Sequence, residues 1–245
     1  SLTVNYARLN VLRPDYGYRN HQNEIDLNDI ENDGVFIGNL DTNSKKLLIS
    51  FSTLLSIKPN KKLESAIHKV NHIMINPTGS HFIFLHRYYL NGIRHDRLMS
   101  SSIDGKDLEC LSEGMVSHYC WENESRLISF MKGPIGDGYY RIDIKSKSIH
   151  SIDKQLNEYG DGHPNIIDNT LIFDTYPNKA RHKTLFQYNL NNKVLTPLLE
   201  AFESFDFYGE TRCDFHSTLS PNGKMIFFDS VHEDQRHLYY SHLKS

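Results

Sequence analysis

Residues 72–85 read HIMINPTGSHFIFL, and residues 216–228 read HSTLSPNGKMIFF. Each segment opens on a histidine and passes through a Pro-containing turn. In each, the turn glycine (Gly79, Gly223) follows the histidine by seven residues, and a run of large apolar residues comes next. Pro and Gly supply the backbone angles of a tight turn, while β-branched and aromatic residues suit a half-buried pleated surface. The pattern is therefore a strand, a turn and a second strand. Weaker copies lie between the two segments. His118 leads through Glu122-Asn123-Glu124-Ser125 into LISF at 127–130, and His163 leads through Asp168-Asn169 into LIFD at 171–174.

The four histidines are spaced by 46, 45 and 53 residues. Further strand pairs fill the intervals. One is LFQYN at 185–189, a turn at Asn191-Asn192 and KVL at 193–195; another is YYRIDI at 139–144, a turn at 145–147 and SIHSI at 148–152. More short β-rich runs occur at 35–39, 47–51, 82–85 and 225–229, and the best helical candidate, within 48–63, is broken by Pro59. Four short strands in each interval is the rhythm of a β-propeller blade, not of a sandwich. The expectation is an all-β chain, one β-propeller domain over 1–245, with blades starting near 72, 118, 163 and 216. Residues 1–71 supply one more, for about five recognisable blades. The first strand of a blade lines the central channel, so histidines at one point of each first strand are expected to face a shared axial site.

Composition narrows the classes. With 38% hydrophobic and 23% charged residues the chain is neither disordered nor a membrane protein, and no run of about 18 apolar residues is present. The formal net charge of −3 argues against nucleic acid as a partner. Cys110, Cys120 and Cys213 do not make a disulfide framework, which favours the cytoplasm. The chain begins at Ser1 with no visible signal peptide, so a missing native N-terminus and a periplasmic or secreted location stay open.

The histidines at 72, 118, 163 and 216 carry the chemistry. A neutral imidazole binds zinc or manganese and serves as a base near pH 7; the competing reading is packing and hydrogen bonding, one histidine per blade. In Arg212-Cys213-Asp214-Phe215-His216, a cysteine and a histidine three apart are expected to reach one metal with His163, and Asp174 or Asp214 offers a fourth ligand. A thiolate favours zinc, with manganese second. The plainer reading of Cys213 is a buried thiol beside a core histidine. Arg212, Arg87 and Arg94 are candidates to hold a carboxylate, whereas Arg19, Arg126 and Arg236 read as solvated. Tyr176, and Tyr139 or Tyr140, offer a proton donor or a sugar platform, with blade packing as the alternative. Asp161-Gly162-His163-Pro164 reads as a tight turn. Serine-hydrolase, phosphate-loop and dinucleotide motifs are absent.

The stretches LNVLRPDYGY (9–18), NHIMINPTGSHFIFLHR (71–87), GMVSHYCW (114–121), DGHPNIIDNTLIFDTYP (161–177) and RCDFHSTLSPNGKMIFFDSVHE (212–233) resemble bacterial seven-bladed propellers related to oligogalacturonate and ulvan lyases. That resemblance implies metal-assisted β-elimination on an acidic, uronate-containing oligo- or polysaccharide. His118 falls where the family has its base. His163, Cys213 and His216 fall on the metal ligands, Cys213 standing in place of a glutamine. Arg212 and Arg94 fall on the arginines that engage the substrate carboxylate, and His72, Arg87 and Tyr176 are the further substrate-binding candidates. Thr218 stands where the family's second histidine of the final pair would be, and the first one or two blades of longer relatives are not seen before residue 9. The rival function is a non-catalytic propeller that binds glycan or protein on the same face. A glycoside hydrolase needs a carboxylate pair, for which Asp174 and Asp214 are the candidates.

Overall fold

The computed structural model describes residues 1–18 and 24–243; Arg19 lies outside them. Five antiparallel sheets follow one another along the chain. The first contains β1 (Leu2–Val4), β2 (Gly34–Asn39) and β3 (Ser44–Ser50). The second is a meander of β4 (Ile67–Ile75), β5 (His81–Leu90), β6 (Ile93–Ser102) and β7 (Glu109–Glu113). The third runs through β8 (Val116–Trp121), β9 (Arg126–Gly133), β10 (Gly136–Asp143) and β11 (Ile149–Ser151). The fourth runs through β12 (Asn165–Ile167), β13 (Thr170–Asp174), β14 (His182–Asn189) and β15 (Leu195–Phe202). The fifth holds β16 (Thr218–Leu219), β17 (Met225–Ser230) and β18 (His237–His242). Sequential meanders of three or four strands are the arrangement of propeller blades. His72 lies within β4 and His118 within β8, while His163 and His216 stand two residues before β12 and β16.

Among the described residues, α-helix is confined to short pieces, α1 (Tyr6–Leu12), α2 (Phe51–Ser56) and α3 (Lys61–Glu64), beside 3-10 turns at Pro14–Tyr16, Lys154–Tyr159 and Gly209–Thr211. α1 is capped by the Asn5 side chain, which accepts from the amides of Ala7 and Arg8. The 48–63 segment that read as one broken helix becomes the end of β3 and two separate turns of helix, with Pro59 between α2 and α3. None of the described helices is long and apolar enough to cross a membrane.

The chain divides into two compact units, Ser1–Val116 and Ser117–Ser245. The core of the first gathers Val35, Ile49, Phe51, Leu54, Val70, Phe82, Phe84 and Met99. Beside it, Arg8 is buried against Asp33 at 2.6 Å and donates to four backbone carbonyls, tying α1 to the loop before β2. In the second unit Ile172, Leu185, Ala201, Phe215, Ile226 and Phe228 pack together. Alternation along each strand sends every second side chain into such cores and the intervening ones elsewhere. That rule sets the site.

Candidate metal centre

The second unit brings three of the four histidines together. The His118 and His163 ring centroids are 4.1 Å apart, and those of His163 and His216 are 3.9 Å apart. One carboxylate meets the ring of His118 and another the ring of the central His163. Asp161 Oδ1 lies 3.3 Å from His118 Nδ1, and Ser117 Oγ contacts the same ring nitrogen at 3.1 Å while donating to Asp161 Oδ2. Asp174, 1% exposed, accepts from the His163 backbone N–H, takes His163 Nδ1 at 2.9 Å, and accepts from the His216 N–H at 3.1 Å. His216 reaches that bond through a left-handed backbone, φ 43°, uncommon outside glycine and often tied to function.

The Asp174 contact fixes the tautomer of His163. Nδ1–H donates to the carboxylate, so Nε2 carries the lone pair. That Nε2 is buried and has no hydrogen-bond partner; the same is true of Asp214 Oδ1. Ligand atoms from His163, Asp214 and His216 all lie within 4.8 Å of one another. Two orphaned buried acceptors, one from an imidazole and one from a carboxylate, beside a second imidazole suit a cation. A histidine oriented by a buried carboxylate is the usual support for a metal ligand. Burial alone would pull the His163 pKa down, but the Asp174 hydrogen bond and charge, with Asp214 and Asp161, outweigh it and hold it above the ordinary value. Burial, then the neighbouring His163, holds His216 below it against the pull of Asp214 and Asp174.

Gly162 makes the His163–Asp174 contact possible. A Cβ there would lie 1.7 Å from the Asp174 carbonyl oxygen. Residues 161–164, expected as a tight turn, carry no turn in the structure and are instead the place where two backbones touch.

Cys213 does not join the cluster, which corrects the expected ligand set. Cys213 and Phe215 are fully buried, Phe215 in the core, whereas the carboxylate of Asp214 lies with the imidazoles of His163 and His216, their ligand atoms within 4.8 Å of one another. The carboxylate of Asp214 therefore occupies the place assigned to the thiol. Burial pushes the Cys213 thiol up, against the charges of Lys183 and Arg236. With no thiolate in the set, the argument for zinc lapses, and two imidazoles with a carboxylate remain.

Tyr176 and Arg212 border the row. The Tyr176 ring stands edge-on to His163 at 6.0 Å and 6.4 Å from His118. Arg212, 45% exposed, lies over Tyr176 with Cζ 5.0 Å from the ring centroid and donates to Asp214 Oδ2 at 2.7 Å. Burial, then the charges of Asp161 and Asp214, raises the Tyr176 phenol despite Arg212, so it stays protonated. Tyr139 and Tyr140 are buried blade-packing residues.

The other three sequence candidates belong to the first unit. His72 sits at a bulge of β4 with φ 53° and meets the Tyr16 ring edge-on at 5.8 Å. Arg87 is buried, paired with Asp96 at 3.1 Å and donating to the Val116 carbonyl. Arg94 is 43% exposed and pairs with the same Asp96 at 3.2 Å. Asp161, the partner of His118, is not singled out by the sequence as a site residue; its place two residues before His163 is the signal available for it.

No protein-family model matches the sequence, and no curated protein does. Solved structures match on architecture. TolB from Acinetobacter baumannii does so at 10% identity with a TM-score of 0.56, over 85% of this chain and 46% of that one. The β-propeller domain of the Trilobed protease from Pyrococcus furiosus does so at 12% identity and 0.50, over 86% and 60%. An oligogalacturonate lyase in complex with manganese matches at 10% and 0.48, over 86% and 71%, a likeness too slight to carry an argument. The chain thus spans about half of the TolB chain and three-fifths of the Trilobed propeller domain. At these identities the likeness shows the fold alone, a β-propeller.

Proposed function

We propose that the second unit is a metal-dependent lyase site for an acidic, uronate-containing saccharide. The observation that carries this reading is the His163–Asp174 pair, which leaves His163 Nε2 and Asp214 Oδ1 unpartnered beside His216, with His118 one ring away. His163, Asp214 and His216 would hold a divalent ion, which supplies Lewis-acid charge to the substrate carboxylate. The carboxylate in that set makes manganese the first ion to test.

The protein's own groups divide the remaining work. His118, with Asp161 and Ser117 at Nδ1, is the base that takes the C5 proton. The C5–H electron pair becomes the C4=C5 double bond, and the C4–O bond breaks. The leaving oxygen takes its proton from Tyr176, whose phenol burial keeps protonated. Arg212, over the Tyr176 ring, steers the uronate carboxylate.

A glycan-binding module without turnover is the competing reading. It is favoured by the pairing of Arg212 with Asp214, which already engages that guanidinium. Incubation with polygalacturonate and manganese separates the two. The lyase reading expects ultraviolet absorbance from unsaturated uronate, abolished by chelator. Polymer binding without that absorbance at any pH from about 5 to 9, a span that brackets histidine titration, leaves the binding module.

A further inference from the structure

A second unusual set of charges lies wholly within the first unit. Lys69 on β4 is fully buried, and its Nζ has no hydrogen-bond partner. Its cross-strand neighbour on β5 is Arg87, which in turn stands opposite Asp96 on β6. Arg87 and Arg94 converge on one Asp96 oxygen, at 3.1 and 3.2 Å. Tyr16 and Tyr89 flank the Lys69 ammonium, their ring centroids 5.9 and 5.3 Å from Nζ. Arg13 covers Tyr16 with Cζ at 4.3 Å and pairs with Asp15. Four cations (Lys69, Arg87, Arg94, Arg13) thus face two carboxylates (Asp96, Asp15), an excess of two positive charges.

A cavity of about 320 Å³ has Tyr16, one of the two rings flanking Lys69, in its wall together with Asn71 and His72. Asn71 lies two residues along β4 from Lys69 and so on the same face. It is 5% exposed, and both its amide nitrogen and oxygen lack partners. Buried polar groups are normally satisfied, and a buried charge is normally paired. Here an ammonium and a carboxamide two residues apart are both unpartnered, the carboxamide's residue in the cavity wall and the ammonium 5.9 Å from the centroid of the Tyr16 ring that also lines it. The same surroundings hold the Lys69 pKa down to about 8, through burial first, then Arg87, Arg13 and Arg94, with Asp15 opposing.

We infer that Lys69, Arg87, Arg94 and Asn71 form a binding site for a small oxyanion, which enters beside Tyr16 and pairs with the Lys69 ammonium. Guanidinium and ammonium groups recognise carboxylate and phosphate alike, so the oxyanion is that of a sugar acid or of a phosphate. The inference does not rest on the reading of the second unit. The sequence singles out Arg87 and Arg94 for a carboxylate, whereas Lys69 and Asn71 belong to no motif.

Calorimetric titration of the full chain near pH 7 with galacturonate and, separately, with inorganic phosphate tests it. One probe is expected to bind at millimolar concentration or below and to raise the melting temperature in proportion to its concentration. Whichever binds identifies the source. Lys69→Met keeps the length of the buried stem and removes the unpaired charge. It is expected to lose at least tenfold in anion affinity while melting no lower than the parent. Arg94→Gln, at a half-exposed position, weakens binding by about tenfold with the fold intact, and gives the answer if Lys69→Met does not fold. Manganese titration of Lys69→Met is expected to match the parent, which separates this site from the imidazole row. Failure of both probes to bind, or unchanged binding in a Lys69→Met protein that melts lower, overturns the inference and leaves Lys69 as a packing cation between two tyrosine rings.

Discussion

Asp174→Asn is the most informative single change, because it alters charge and almost nothing else. The carboxylate accepts from His163 N–H, His163 Nδ1–H and His216 N–H at 1% exposure. An asparagine offers one oxygen, and its NH2 must face at least one of these donors. A lost hydrogen bond to a charged acceptor costs about 1.5–3 kcal/mol, and an unsatisfied buried donor adds about 1–3 kcal/mol. A loss near 3 kcal/mol lowers the melting temperature by about 6–12 °C for a chain of this size. Metal affinity should fall separately, by about 10–100-fold, because the tautomer and orientation of His163 are no longer imposed. Thermal denaturation in chelator gives the first quantity, and calorimetric titration with manganese gives the second. Stoichiometry should stay at one ion, since Asp174 is not itself a ligand. Manganese affinity within about twofold of the parent would refute the reasoning, because supporting carboxylates at true sites matter far more than that.

Gly162→Ala places a methyl 1.7 Å from the Asp174 carbonyl oxygen, and should destabilise by about 2–3 kcal/mol, read as a lower urea midpoint at unchanged slope. Cys213→Ser should lower stability by about 1–3 kcal/mol by burying a hydroxyl, yet leave manganese stoichiometry unchanged, whereas Asp214→Asn should weaken manganese binding with little loss of stability. In the first unit His68 Nδ1 meets His86 Nε2 at 3.0 Å, and burial holds both imidazoles below their usual pKa. The unfolded chain therefore binds protons that the folded one refuses, and stability falls as pH drops below about 6.5. The loss reaches at most about 2 kcal/mol per imidazole at pH 5 and should vanish in the His68→Gln, His86→Phe double variant, which urea titrations across pH will show.

The blades were legible because period-two patterning, Pro/Gly turns and a recurring histidine all survive in local sequence. α1 escaped because seven residues capped by Asn5 give too little periodicity to register. The imidazole row was legible for His118, His163 and His216, since equivalent blade positions converge. Spacing along the chain does not give the ligand next to His216, because it does not show that Cys213 is turned into the interior while the Asp214 carboxylate lies beside the imidazoles. Asp161 and Asp174 were seen only as a turn residue and a spare ligand. Their roles depend on which carboxylate meets which imidazole across neighbouring strands, and that pairing is tertiary. Lys69 was invisible because an unpaired buried amine is defined by what surrounds it.

Mass spectrometry of the products from a uronate oligosaccharide treated with the manganese-loaded protein tests the functional account most directly. Elimination leaves a fragment with an unsaturated non-reducing end, lighter by one water than the same fragment made by hydrolysis. The account predicts that lighter fragment, with its yield falling by about 10²–10⁴ in His118→Ala, as removal of a general base does. Saturated fragments, or an intact oligosaccharide bound to a manganese-loaded protein, would contradict it.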